Sequence, residues 1–275
     1  MLILAALLLA QINFVYAPGE APPGYVRPLA IGCALPAAPL STGLQPKPFT
    51  WGGYKWNNDS GQTWNTHVPY AINVCTNGHV KFELHDTAYD HGLSDPSTKR
   101  RAEIGATATN EKFHNNTPYW LAFSFTEHWD CIACMQGSNV RIAQPLHWPS
   151  GASPAVGMSA VYLNGGAGFR ITTCGDSHVN ITRATVPLAL DTVHDVVMQV
   201  TPNGTNGLLN VWLDGKPILN LTGVPVGSLK EDGYTFRIGA YGLLNGNLVR
   251  EEIGNIAAFP SGVNLSGRIA SPPAW

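Results

Sequence analysis

The sequence predicts an all-β fold: two antiparallel sheets packed face to face as a jelly roll, a lectin-like sandwich. Three observations carry this expectation. From Phe49 onward, short apolar runs recur at sheet-like spacing, separated by Gly, Asn, Asp and Pro. No window sustains the periodicity of an amphipathic helix. With 29 Gly and 21 Pro in 275 residues, the chain holds too many turn formers for a helical bundle, and at 44% hydrophobic residues it is too apolar for disorder.

The strands are expected at His79–His85, Arg101–Ala106, Trp120–Thr126, Val140–Gln144, Met158–Tyr162, Gly168–Thr172, Asp195–Val200, Leu208–Leu213, Thr235–Tyr241 and Asn255–Phe259. Several alternate strictly. In WLAFSFT, Leu121, Phe123 and Phe125 take one face, and Trp120, Ala122 and Ser124 the other. Asp214-Gly215 between two apolar runs signals a tight hairpin. One sheet of such a sandwich is commonly bent, and its concave face holds an extended polymer. Residues 1–48, rich in Pro and Ala, read as an extended leader or an arm lying on another surface; residues 49–275 read as a single domain.

Charged residues make up only 12% of the chain and the net charge is −2. Without a polybasic stretch, wholesale nucleic-acid binding lacks its main driving force. An anionic ligand must be held by a few placed cations. No window reaches eighteen consecutive apolar residues, so no membrane-spanning helix is expected. Nor is there a phosphate loop, a His-Glu-x-x-His or a nucleophile elbow, and no nucleotide or redox cofactor is called for.

Met1–Ala10 (MLILAALLLA) suits the apolar core of a secretory signal, although no Lys or Arg precedes it and Pro18 follows Ala17. The other reading is a buried N-terminal strand, or a helix against a partner. Asn-x-Ser/Thr triplets at Asn58, Asn115, Asn180, Asn203, Asn220 and Asn264 favour an exported glycoprotein, with composition bias as the alternative. Five cysteines (Cys33, Cys75, Cys131, Cys134 and Cys174) fit one or two disulfides with one thiol left over; a single Cys-Ile-Ala-Cys lacks the second pair of a zinc site.

Three strand segments carry polar residues on what should be one uniform face. In Arg101-Ala-Glu103-Ile104, Arg101 and Glu103 point the same way, and the Glu fixes a guanidinium suited to bidentate carboxylate recognition. Gln144 ends an apolar strand, followed by His147 and Trp148; Gln donates to a carboxylate without adding charge, and His takes a proton near neutrality. In Tyr234–Tyr241, Thr235, Arg237, Gly239 and Tyr241 share a face, and Gly239 leaves a gap where a sugar ring can approach. Each segment also has a bland reading: a surface ion pair, a strand end with a packed Trp, and a half-buried strand with a snorkelling Arg.

Together these segments resemble the three marker strands of the jelly-roll polysaccharide lyases: alginate lyases, glucuronan lyases and the heparin lyase I type. Those markers read Arg-x-Glu-Leu, Gln-x-His and Tyr-Phe-Lys-x-Gly-x-Tyr. Here they stand, in the same order, as Arg101-Ala-Glu103-Ile, Gln144-Pro-Leu-His147 and Tyr234-Thr-Phe-Arg237-Ile-Gly239-Ala-Tyr241. Flanking segments (Phe82–Asp86, Tyr119–Ser124 and Leu208–Gly215) agree, so the resemblance runs from about Phe82 to Phe259. Two departures stand out. Gln144 and His147 are three apart, which on a regular strand turns them to opposite faces unless Pro145 sits in a bulge. Gly105 replaces the basic residue that often ends the first marker.

The resemblance implies a concanavalin A-like sandwich and a secreted lyase that cleaves a (1→4)-linked polyuronate by β-elimination. It implies catalytic roles for Arg101, Gln144, His147 and Tyr241. Arg101 and Gln144 neutralise the uronate carboxylate, Tyr241 serves as acid and base, and His147 as base or carboxylate donor. It implies substrate binding by Glu103, which orients Arg101, by Arg237, and by the aromatic rings of Tyr234 and Trp148. No cofactor is required; such sandwiches accommodate a structural Ca²⁺, which the sequence does not place. Two other functions are open. One is a glycoside hydrolase of the β-glucanase kind, to which Arg100–Glu103 also fits but which normally needs two carboxylates. The other is a non-catalytic carbohydrate-binding or structural sandwich.

Overall fold

A computed structural model of the chain describes residues 38–39, 49–51, 54–58, 72–75, 78–85, 100–106, 112–149, 154–242, 244, 248–258 and 263–275. The strands are β1 (Ala38–Pro39), β2 (Phe49–Trp51), β3 (Tyr54–Asn58), β4 (Ile72–Val74), β5 (Val80–His85), β6 (Arg100–Ala106), β7 (Tyr119–Trp129) and β8 (Asn139–His147). They continue as β9 (Val156–Leu163), β10 (Gly166–Cys174), β11 (Asn180–Leu188), β12 (His194–Thr201), β13 (Asn203–Leu213), β14 (Lys216–Val226), β15 (Thr235–Gly242) and β16 (Leu248–Ala258). All pairs are antiparallel. The first sheet runs β1-β4-β5-β16-β7-β12-β13-β14 and the second β11-β10-β9-β8-β15-β6-β3-β2. This is the two-sheet all-β sandwich that the alternation predicts.

The core lies between the sheets. Leu121, Phe123 and Phe125 of β7 point into it, as do Phe169 of β10 and Phe236 and Ile238 of β15. Phe125 stacks on Phe169 at 5.9 Å and Phe123 meets Phe236 at 6.4 Å, so ring contacts join the two layers. Each such side chain contributes about 1.5–3 kcal/mol by leaving water. The β13–β14 hairpin turns at Asp214 and Gly215, both with positive φ (51° and 73°), as the Asp-Gly signal requires.

Strands β1 to β4 and β11 are not among the expected ones, and β16 differs in its bounds. β11 is an edge strand whose first half (Asn180–Arg183) faces solvent, so its sequence shows no clean alternation. β16 starts at Leu248, ahead of the expected Asn255, and carries Glu251 and Glu252 in buried positions. The expected start at Asn255 is instead a break, with φ 51° and a register shift between Gly254 and Ala257. Phe259 lies outside the described residues.

Of residues 1–48, Ala38–Pro39 pair with β4; the remainder lies outside the described residues. Cys131 and Cys134 form a disulfide, Cys75 is disulfide-bonded, and Cys174 is a buried free thiol. Among the described residues no helix is long and apolar enough to cross a membrane. The C-terminal residues fasten onto the outer face of the first sheet. Arg268 pairs with Asp195 at 2.7 Å, Asn255 bonds the Ala274 carbonyl, and Trp275 packs on His79.

Candidate active site on the second sheet

β15 lies between β6 and β8, and the register aligns the three marker segments side by side. Tyr241 stands opposite Arg101 on one side and Arg141 on the other. Arg237 stands between Gly105 and Gln144, and Thr235 opposite His147. These side chains leave the face turned away from the core, since Ala102, Ile104, Phe236 and Ile238 take the inner face. Arg101 places its guanidinium 4.2 Å from the centre of the Tyr241 ring, a cation–π contact. Glu103 is fully buried beneath them. Its carboxylate accepts from Gln144 Nε2 and lies 4.0 Å from Arg101 Nε, so one acid orients both the cation and the amide.

The odd spacing of the second marker is absorbed by a bulge. Against β15, the step from Gln144 to His147 spans only Arg237 to Thr235; against β9, Ala143 to Leu146 spans only Met158 to Val156. One extra residue is thus looped out around Pro145, and Gln144 and His147 emerge on the same face. The His147 Nδ1 faces the Trp148 carbonyl at 2.9 Å. A carbonyl only accepts, so Nδ1 carries the proton and Nε2 the lone pair. At Gly105 the missing basic side chain is replaced from the neighbouring strand: the Arg237 stem lies 3.5 Å from where a Cβ at 105 would stand.

Two expected sugar-binding rings are elsewhere. Tyr234 and Trp148 are sealed in the core, 0% and 2% exposed, and meet edge to face at 6.2 Å. Tyr234 shares the inward parity of Phe236 and Ile238, which the alternation already contained. Its hydroxyl accepts from Ser228 N–H and donates to Asn115, and burial pushes its pKa up. Neither ring can stack on a sugar.

Other residues escaped sequence reasoning. Arg141 shares the outer face with Tyr241. Its guanidinium crosses β9 at Gly157, where a Cβ would collide with Nη1, and donates to Thr172 Oγ1 at 2.9 Å. Burial pulls its pKa below the ordinary value, against the attraction of Glu103 and Tyr241. The signal was a lone cation between two inward apolar residues, Val140 and Ile142. A second omission lies between the sheets: Glu127 of β7 and Glu251 of β16 are cross-strand partners, both fully buried. Burial raises the Glu127 carboxyl to about 8, although Trp129 Nε1 donates to it, and raises that of Glu251 as well. Among the described residues no group of three or more His, Cys, Asp or Glu is arranged to hold a metal ion, so no Ca²⁺ site can be assigned there.

Two antiparallel sheets packed face to face, with a polar cluster on one outer face, make a jelly-roll sandwich. The chain belongs to the polysaccharide lyase family, whose model matches residues 50–247. Among solved structures, it resembles an endo-β-1,4-glucuronan lyase from the fungus Trichoderma reesei (TM-score 0.54, 16% identity, covering 77% of this chain and 95% of that one). It also resembles an alginate lyase from Klebsiella pneumoniae (0.52, 10%, 70% and 84%) and the alginate lyase AlyC3 in complex with dimannuronate (0.51, 10%, 72% and 81%). At these identities the likeness speaks to the fold. No curated protein sequence matches the chain.

Proposed function

We propose that the protein is a secreted lyase that cleaves a (1→4)-linked polyuronate by β-elimination. The observation that carries this is the meeting of Arg101, Gln144 and Tyr241 on one outer face, in a chain of the polysaccharide lyase family. A base removes the C5 proton, the C4–O bond breaks, and the electron pair forms a C4=C5 double bond as the glycosidic oxygen takes a proton. The C5 proton is weakly acidic until the adjacent carboxylate is neutralised, so donors fixed at that carboxylate lower the barrier. Arg101 and Gln144, both held by Glu103, supply them. Tyr241, beneath the Arg101 guanidinium, transfers the proton. His147 serves as base or as a further carboxylate donor, and Arg237 holds a neighbouring sugar. The disulfide suits an oxidising, extracellular compartment.

Hydrolysis is the weaker reading. It needs two carboxylates flanking the bond, and Glu103 is the only Asp or Glu on the eight strands of this sheet. Incubation with glucuronan, alginate and heparin-type polymers tests the proposal. A far-ultraviolet rise from the unsaturated uronate, lost in Tyr241→Phe, supports it. New reducing ends without that rise mean hydrolysis, and binding with neither signal means a non-catalytic sandwich.

A further inference from the structure

The outer face of the second sheet carries a cross-strand row that begins at Arg101 and Tyr241 and runs on through residues that the elimination chemistry does not use. Opposite Tyr241 on β8 is Arg141; opposite Arg141 on β9 is Ser159; opposite Ser159 on β10 is Arg170. With Arg101 on β6, the row spans five strands, about 19 Å from end to end at the strand spacing of a sheet.

We infer that Arg141 and Arg170, with Thr172 and Ser159, form a second carboxylate-binding subsite that holds another uronate of the same polymer. The inference rests on the polyuronate reading of the first site. Two observations and two physical rules support it. The two guanidiniums are close enough to repel each other electrostatically, yet among the described residues neither forms an ion pair with a carboxylate: Arg141 feels Glu103 only at a distance and donates to a hydroxyl, and the buried Nε of Arg170 has no hydrogen-bond partner there. Two half-buried cations side by side are costly until an anion joins them. Guanidinium is the group suited to bidentate grip of a carboxylate. Finally, the floor between them is made of Gly157 and Ser159, and a side chain at Gly157 would displace Arg141.

The row crosses the strands, so a polymer held at both ends lies across the sheet, with Arg101 gripping the reacting ring and Arg170 a ring several units away. A trisaccharide seated at Arg101 is too short to span both positions; an octasaccharide reaches both.

The test uses the full chain, its Arg170→Ala and Arg170→Lys variants, and Gly157→Ala. Binding is read by electrophoresis through gels containing glucuronan or polymannuronate, or the same polymers with carboxyls reduced to alcohols. Cleavage of tri- and octasaccharides is followed in parallel. Arg170→Ala is expected to weaken polyuronate binding about tenfold. It should raise KM for the octasaccharide and leave the trisaccharide unaffected. Arg170→Lys should recover only part of the loss, and Gly157→Ala should weaken binding in the same direction. Equal affinity of Arg170→Ala and the parent protein for polyuronate overturns the subsite, even if cleavage is intact. Equal losses on reduced and acidic polymers overturn carboxylate recognition. Arg170-dependent binding of polyuronate without any absorbance rise keeps the subsite and removes the lyase reading.

Discussion

The two sheets differ in charge more than in packing. The strands of the second carry Lys55, Arg100, Arg101, Arg141, Arg170, Arg183 and Arg237 against a single acid, Glu103. Those of the first carry Lys81, Lys216 and Arg250 against Glu83, Glu127, Asp195, Glu251 and Glu252. A chain of net charge −2 therefore hides one strongly cationic layer. In the first sheet several charges pair with one another: Glu83 takes Lys81 at 3.1 Å and Arg250 at 2.9 Å, and Asp195 takes Arg268 at 2.7 Å. On the strands of the second, cations outnumber carboxylates seven to one. Such a layer attracts anions from solution, while the ion pairs of the first sheet close on one another.

If that contrast holds, the largest effect belongs to Tyr241. Tyr241→Phe keeps the ring under Arg101 and removes only the proton carrier, so turnover should fall about 10²- to 10⁴-fold while polymer affinity stays within a few fold. Unchanged turnover in this variant would move the chemistry off the second sheet.

Next is Arg268→Ala, on the first sheet. It leaves Asp195 buried beside Ser124 without its cation, and unfolding free energy should drop by about 3–5 kcal/mol in urea titration. Lyase activity measured well below the new midpoint should not change. A large activity loss there would couple the two sheets and blur the division of labour.

The architecture was legible because strand alternation is a local property: β5 to β10, β12, β13 and β15 all fall where apolar residues recur every second position. The site was legible in part. Arg101, Glu103, Gln144 and Tyr241 meet because β6, β8 and β15 are neighbours, which a marker order carries and a single strand does not. Parity alone would have excluded Tyr234, two residues before inward Phe236. What the sequence could not display was pairing across strands. Arg141 and Arg170 are 29 residues apart and share Ser159 as neighbour only through register. Glu127 and Glu251 meet in the core only because β16 lies beside β7.

That glutamate pair gives the third prediction. Burial raises the Glu127 carboxyl from 4.5 to about 8, so the folded protein retains a proton that the unfolded chain releases above pH 4.5. Stability therefore falls as pH rises from about 4.5 toward 8, and levels off above. Glu127→Gln mimics the neutral acid and cannot ionise. It should match the parent near pH 4.5 and exceed it by about 2–4 kcal/mol at pH 9. Parallel stability curves for the two proteins would show that Glu127 ionises freely where it lies.

The smallest effect tests the field of the second sheet as a whole. Arg183 lies on edge strand β11, its Nε bonded to Thr173, and stands outside the row that runs from Arg101 to Arg170. Arg183→Gln removes charge from the layer without altering either proposed grip. At low ionic strength it should lower kcat/KM on polyuronate by about twofold or less, through slower encounter. At 0.5 M salt, where screening acts within a few ångströms, the variant and parent should converge. Both proteins should also lose several fold in kcat/KM between 0.05 and 0.5 M salt, because the remaining cations act at the same range. A deficit in Arg183→Gln that persists at high salt would mark a direct contact, and would extend the binding row to the sheet edge rather than leaving it to long-range attraction.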